Sequence, residues 1–558
     1  MADYFNRFLN YINDGKNLYR IYIFLVVFLC AVKLPTLLTA DIQPWDEGMY
    51  ATRVLSIHQN GDFFDQSDHS VGRFYSGSHP PLLIWIGYIS TLIFGINSIA
   101  LKIIPFIFAL LSVLFLILLG RELFDQKTGV IAAMIFVSNL MFSVFAERFQ
   151  FDIPYVFLVL LAFYFTARYL NTGLKKYMIY TGIVFGLCLM IKILVGFYIP
   201  LVIFGFYLFQ RKKINITLSV IVLFSAIGIA IALPWHIYML ISYGNDFIQY
   251  FMGFHIVDRA LVGVEKNVKG SGVFYHINYY LSIIPFAVIA FISMVKDIRN
   301  YRSLDWQKIF LWIWFLTGLI IISAFRTKLE VYVFFILVPG CLVIPQYIFN
   351  LKDGFTKEKV LLVALLIFNI AWSVTLKFRD SFKDYIAHLN ILIVLLILVI
   401  SVIFVGILSI YLARTSLKKV LTGFVILFFL GFNIYFAFYP HNWLYFFKLE
   451  SIKETMNSGN RTNILYVGTD YKHNPQFSFY FNGLNIGWNK SNYTYDFIDT
   501  HEGFDKVKNK INSLGKNNYY IIVEKDNVNR SEYPDSKEFI PGNVLLIKKE
   551  PGYELYSN

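Results

Sequence analysis

Apolar runs of 18 to 25 residues recur along this chain from Ile21 to Phe438. Each is long enough as a helix to cross a hydrocarbon core of roughly 30 Å. In that medium every backbone N–H and C=O must be satisfied internally, which leaves helices as the element for such runs. Spans are expected at about 19–39, 98–119, 129–146 and 153–170, with two short ones in 177–210 that turn near Lys192. Others follow at about 216–235, 273–295, 309–325, 331–349, 359–376, 389–412 and 419–438, which makes about 13. The stretch Leu83–Phe94 is too short to cross comfortably and is placed along the interface. The fold class is therefore a polytopic α-helical membrane protein.

Charge orients it. The formal net charge is +13, yet residues 441–558 hold 14 Lys+Arg against 14 Asp+Glu, so the excess lies in the membrane part. There it sits in short loops, at Arg121, Lys127, Lys175, Lys176 and Arg211-Lys212-Lys213. Loop-confined cations are the positive-inside pattern of a membrane protein, not a face for nucleic acid. Lys16 and Arg20 precede the run 21–39, and no small-residue cleavage site follows. A retained signal anchor is expected, with a cytoplasmic N-terminus and a C-terminus on the outer side. Cys30, Cys188 and Cys341 lie inside apolar runs without metal or redox spacing and read as small buried hydrophobes.

From about residue 441 the composition turns polar and rich in Asn and Tyr. Asn463–Val467, Tyr519–Val523 and Val544–Ile547 read as strands, and Phe504–Leu514 has helical spacing. Two domains are expected: 1–440 in the membrane, with an outer loop 40–97, and 441–558 as a small α/β domain outside it.

The polar chemistry gathers in that loop, which is far longer than the 2–8 residues or so that join helices in a bundle. Asp46-Glu47 stands between Trp45 and Tyr50, and His79-Pro80-Pro81 forms a rigid corner. A carboxylate here can deprotonate an acceptor hydroxyl or orient a sugar; a solvated pair or a helix cap is the alternative. Glu147-Arg148 and Asp152 fall on the same side, where charges at helix ends are often merely interfacial. Lys192 is the one Lys or Arg within 177–210, and an intramembrane cation generally faces a cavity and a partner. Arg326 and Lys328 form a second outer basic cluster, with snorkelling as the alternative. His79 could face a phosphate. Neither a nucleotide-binding loop nor a cofactor motif is present; a divalent metal stays possible.

In order, Asp46-Glu47-Gly48-Met49-Tyr50-Ala51, Gly61-Asp62-Phe63, His79-Pro80-Pro81, Arg121-Glu122-Leu123-Phe124, Arg148 with Asp152-Ile153-Pro154, Pro234-Trp235, His255 with Arg259, and Lys328-Leu329 before Tyr332 resemble GT-C glycosyltransferases. The branch is the dolichyl-phosphate-mannose protein mannosyltransferase-like group, which includes bacterial lipid A aminoarabinose transferases. The chain departs from those transferases at His79, where they carry Lys, and at Glu330, where they carry Pro.

The resemblance implies transfer of one sugar from a polyprenyl-phosphate carrier to a protein, lipid A or other glycan acceptor at the outer face of a bacterial inner membrane. Asp46 matches the family's first-loop catalytic carboxylate and Asp152 its second-loop acidic residue, with Glu47 beside them. Lys192, Arg259, Arg326, Lys328 and His79 are candidates for the donor phosphate. Trp45, Tyr50, Glu147, Arg148 and His255 are candidates for acceptor or sugar. A transporter or flippase of lipid-linked sugars is the rival reading; such folds often carry inverted repeats, and none is apparent here.

Overall fold

The computed structural model describes the chain apart from residues 1, 193–195, 211–215, 264–271, 273, 353, 378–402, 404, 413, 415, 446, 460, 469–473, 484–491, 500–502, 515–518, 526–539, 543 and 558. Among the described residues, seven helices are long and apolar enough to cross a membrane. The protein is an integral membrane protein.

After an N-terminal helix α1 (Ala2–Asn13), α2 (Leu18–Thr39) leads into the long loop, which is itself helical: α3 (Asp46–Asn60), α4 (Phe74–Gly77) and α5 (Leu82–Phe94). Then come α6 (Ser98–Leu123), α7 (Gln126–Val137), α8 (Leu140–Phe145), α9 (Asp152–Thr172), α10 (Lys176–Leu189) and α11 (Tyr198–Gln210). Helix α12 (Leu218–Ile248) runs on as a π-helical segment, Gln249–Val262. Helices α13 (Tyr275–Ile283), α14 (Ala287–Arg299), α15 (Trp306–Ala324), α16 (Phe334–Phe349), α17 (Lys357–Lys377) and α18 (Leu417–Phe438) complete the membrane part.

Three expected elements differ. The stretch 129–146 is not one span, because α7 stops at Val137 and Asn139 caps a separate α8 by accepting from Phe142 N at 3.0 Å. The stretch 273–295 is broken between α13 and α14 at Pro285, which pushes Ile284 into extended geometry. The expected loop through Arg259 is helix instead. Continuing apolar residues carry α12 past Pro234, with one kink at Gly244 (φ 49°). The expected span 389–412 falls largely outside the described residues, as does Lys269.

The C-terminal part adds α19 (Glu450–Asn457), α20 (Gln476–Tyr480), α21 (Phe504–Ser513) and strands β1 (Asn463–Gly468), β2 (Thr494–Asp499), β3 (Tyr519–Glu524), β4 (Leu545–Glu550) and β5 (Tyr553–Ser557). Their order is β2-β1-β3-β5-β4. Strands β2 and β3 run parallel to β1, whereas β5 runs antiparallel to β3 and β4 antiparallel to β5. Side chains alternate along β1 as a pleated strand requires. Leu465 and Val467 pack with Val507 and Ile511 of α21, while Ile464 and Tyr466 join the core that continues into the membrane part. The centre of the sheet at β1 is thereby buried on both faces, while β4 is largely exposed.

Helices α6 and α7 cross at their glycines. A Cβ on Gly129 would stand 2.3 Å from the Ile117 carbonyl oxygen, and one on Gly120 would stand 2.4 Å from Gly129 Cα. Small residues let membrane helices approach in this way. Gly129→Val is expected to cost about 1–3 kcal/mol through overpacking, read as a lowered thermal midpoint in detergent.

Candidate active site

Helix α3 begins with two carboxylates in its first turn, where the helix dipole favours negative charge. Their surroundings are opposite. Asp46 is exposed, and Glu47 is completely buried. Glu47 Oε1 accepts from Phe149 N at 2.9 Å and lies 3.1 Å from Lys102 Nζ. Its Oε2 accepts from Gln43 N at 3.0 Å and lies 3.5 Å from Arg148 Nε. A carboxylate so engaged is a strut between the loop at α3 and the loop between α8 and α9, whereas Asp46 keeps its face to solvent.

Lys102 also donates to the Glu147 carbonyl oxygen at 3.2 Å, and Arg148 Nη2 donates to Pro44 O at 3.1 Å. Glu147, expected near acceptor or sugar, is instead buried against Lys33 of α2, with Nζ 3.4 Å from Oε1. Lys33 further donates to Ser143 O at 3.3 Å and lies over the Phe436 ring. Burial pushes the Glu147 carboxyl up to about 7, against the pull of Lys33 and Lys102.

The His-Pro-Pro corner is held from two sides. Fully buried Arg53 of α3 donates to Ser76 O (3.0 Å), Gln66 Oε1 (2.8 Å) and His79 O (2.9 Å). Beyond the prolines, Leu82 N donates to Met190 O at 3.1 Å, so the corner leans on the turn that carries Lys192. The His79 ring stands 4.3 Å from that of His255 and 5.4 Å from that of Phe151. Burial, then the neighbouring His255 and Lys192, hold His79 well below its usual range, so it is neutral at pH 7.

These residues wall a cavity of about 660 Å³ counted with its open mouth, lined by His79, Lys192, His255, Arg259 and Tyr332 among apolar side chains such as Phe251 and Phe335. Arg259 and Tyr332 line the same cavity, and Arg259 interacts electrostatically with the Tyr332 hydroxyl and with Asp46. Asp152, at the start of α9, lies in the fields of both Lys192 and Asp46. Tyr50 is buried against Phe151, with ring centroids 4.1 Å apart. The cavity thus has cations at its wall, and those cations interact electrostatically with Asp46 and Asp152. That is a place for an anionic group joined to an apolar tail, with a base alongside.

Of the expected phosphate ligands, Lys192, Arg259 and His79 reach this cavity. Lys328 does not, because its ammonium donates to Ile322 O (3.0 Å) and Ser323 O (2.7 Å) and so closes the C-terminal end of α15. Arg326 is exposed and off the cavity wall; its backbone N donates to Ala260 O at 3.0 Å, bracing the segment that carries Arg259. Trp45 is half exposed and holds a positive φ of 66°, a conformation that costs a non-glycine residue about 1–3 kcal/mol. Among the described residues no three His, Cys, Asp or Glu side chains converge as a metal site.

Sequence reasoning passed over Tyr332, Arg53, Lys102 and Lys33. For the two lysines a signal was present: each is a cation inside an otherwise apolar run, the same feature that singled out Lys192.

Removing Lys102 leaves Glu47 short of a buried counter-charge. Lys102→Met is expected to cost about 3–5 kcal/mol, and adding Glu47→Gln should restore part of the loss, read by thermal unfolding in detergent. Glu147 has a further signature. Its folded value of about 7 exceeds the ordinary 4.5, so the folded state binds more protons between those values. Its contribution to stability is therefore lost as pH rises from 4.5 to 7. Glu147→Gln should flatten the fall of the thermal midpoint across that window.

Residues 78–238 match the family of dolichyl-phosphate-mannose-protein mannosyltransferases. Two uncharacterized proteins of Aquifex aeolicus (strain VF5) are related: one is 21% identical over 295 residues, the other 25% identical over 292. The chain spans 56% and 64% of their respective lengths, and 52% of the chain is matched in each case. In fold it is similar to ArnT from Cupriavidus metallidurans bound to undecaprenyl phosphate, at 14% identity, TM-score 0.60, covering 96% of this chain and 98% of that one. It is also similar to the archaeal oligosaccharyltransferase AglB from Archaeoglobus fulgidus, at 12% identity, TM-score 0.51, covering 91% and 69%. Over residues 78–238 the chain is thus similar to the dolichyl-phosphate-mannose-protein mannosyltransferases, and over nearly its whole length its fold is similar to that of ArnT.

Proposed function

We propose that this protein is a membrane glycosyltransferase that moves one sugar from a polyprenyl-phosphate carrier to an acceptor hydroxyl or amine at the outer face of the membrane. The observation that carries this reading is the meeting of Lys192 and Arg259 on one largely apolar cavity, both in electrostatic reach of the acid pair Asp46 and Asp152. Lys192 and Arg259 take the donor phosphate, helped by the Tyr332 hydroxyl, and neutral His79 and His255 offer ring nitrogens rather than charge. The apolar wall takes the first isoprene units. That the solved relative ArnT holds undecaprenyl phosphate supports a carrier of this class.

The chemistry is a displacement at the anomeric carbon. Asp46 accepts the proton of the acceptor as its heteroatom bonds to that carbon, and the carbon–oxygen bond to phosphate breaks. The leaving polyprenyl phosphate carries away the electron pair, and Lys192 and Arg259 stabilise the charge that grows on it. Asp152, in the field of Lys192 and Asp46, orients the sugar or the acceptor. Glu47, engaged on both oxygens, holds the loops rather than the proton. The loop cations support a cytoplasmic N-terminus and a C-terminal sheet on the outer side.

Two substitutions separate chemistry from binding. Asp46→Asn is expected to lower turnover by roughly 10²–10⁴ with donor affinity nearly intact; turnover at the wild-type rate would remove Asp46 as the base. Lys192→Gln should weaken donor binding by about ten- to a hundredfold, the equivalent of about 1.5–3 kcal/mol for one charge-assisted contact. Affinity is measured apart from rate, because a contact made only to the departing phosphate lowers rate alone. The purified protein should consume a carrier-linked sugar in detergent; consumption of none there, with movement of the lipid in sealed vesicles, would establish a flippase instead.

A further inference from the structure

Residues 41–52, which carry Asp46, are gripped from the C-terminal sheet side at five points. The buried Asp41 carboxylate accepts from Leu449 N (2.6 Å) and Glu450 N (2.8 Å), capping α19 from the far end of the chain. Ile42 N donates to the Tyr480 hydroxyl at 2.9 Å. Gln43 and Phe447 exchange two bonds: Gln43 Nε2 donates to Phe447 O (3.1 Å), and Phe447 N donates to Gln43 Oε1 (3.2 Å). Thr52 Oγ1 donates to Gly48 O and to Pro475 O (3.3 Å). Gly48 lies so close to α20 that a Cβ there would stand 2.5 Å from Gln476 N.

Helix α20 is fixed in turn by the sheet. Gln476 Nε2 donates to the Tyr553 hydroxyl at 2.8 Å, which donates to Asn474 Oδ1 at 3.0 Å. On the opposite side of the same segment, Glu47 is held by Lys102, Arg148 and Phe149 N. Trp45, with its positive φ, stands between the two grips. A strained residue persists only where its surroundings over-determine it, and here the C-terminal domain is half of those surroundings.

We propose that the C-terminal domain is a positioning part of the active site: through Asp41, Gln43 and the Gly48–Gln476 contact it sets where the Asp46 carboxylate stands relative to Asp152 and the cavity. This rests on the reading of Asp46 as the base. The domain touches neither Lys192 nor Arg259 among the contacts described, so it governs the step in which the acceptor proton moves and leaves donor binding alone. Added bulk at Gly48 has no flexible side chain to displace, because the nearest atoms are backbone of Gln476 and the Pro475 ring.

The test uses the full chain in detergent with two positions. Gly48→Ala is expected to lower kcat by about 10- to 100-fold, the effect of a misplacement near 1 Å. KM for the donor and affinity for polyprenyl phosphate should move by less than about twofold. Hydrogen exchange should rise in residues 41–52 and stay unchanged in β1 and β3. Asp41→Ala should behave likewise, with Asp41→Asn, which keeps one acceptor oxygen, between it and wild type. Wild-type kcat in Gly48→Ala overturns the proposal. So does a loss in which phosphate affinity and the thermal midpoint fall while exchange rises across the sheet, since that is unfolding. A wild-type protein that transfers no sugar overturns the transferase reading instead; exchange in 41–52 then still decides the grip, and unchanged exchange in both variants sinks it.

Discussion

A carboxylate with no exposed surface has to be neutralised where it stands, and Glu47 is that carboxylate here. Taking an ion out of water is costly enough that a buried one survives only with charge and hydrogen bonds on its remaining lone pairs. Glu47 meets this with a lysine from a membrane helix, an arginine from the loop before α9 and two backbone N–H groups. The partners come from three segments: Gln43 before α3, Lys102 of α6, and Arg148 with Phe149 before α9. Their assembly around one side chain therefore fixes how the loop at α3, the loop before α9 and α6 sit on one another. Such a network adds little net stability over an apolar core. What it supplies is register.

That register gives two neighbouring acids opposite surroundings. Asp46 and Glu47 are adjacent, about 100° apart around α3, and the difference comes from which side each faces. Arg53, nearly two turns on along the buried side, fixes the His79 carbonyl, so a single helix carries both the acid pair and the brace of the histidine corner. The rest of the wall comes from the turn at Lys192 and the π-helical end of α12. Irregular helix of this kind is often found at functional sites, and it brings His255 and Arg259 onto the same cavity.

Much of this was legible in the residues, and the exceptions are instructive. Apolar run length located nearly every described membrane helix, because hydrocarbon thickness is a hard ruler. It failed at Ser138-Asn139 and at Pro285, where local capping and proline geometry interrupt an apolar run without changing its composition. Strands β1, β3 and β4 were readable as β-branched and aromatic runs, whereas β2 and β5 are half-polar and take their form from their neighbours. In the site, Asp46, Asp152 and Lys192 stood out as charges in unusual places. Glu47 looked equivalent to Asp46 because sequence gives no facing for two residues in a first turn. Lys328 looked like an anion ligand because helix capping is a matter of geometry that composition does not carry.

The union of Asp41 with Leu449 and Glu450 spans 408 and 409 positions of the chain. On a ribosome those partners are made far apart in time. The α3 segment leaves the translocation channel early, yet its second support exists only when the sheet has closed through Tyr553. For most of its synthesis the growing polypeptide thus holds a loop whose carboxylates lack their final restraint. Membrane insertion of α3 thus comes before its second support, and a product truncated ahead of Leu449 lacks that support altogether.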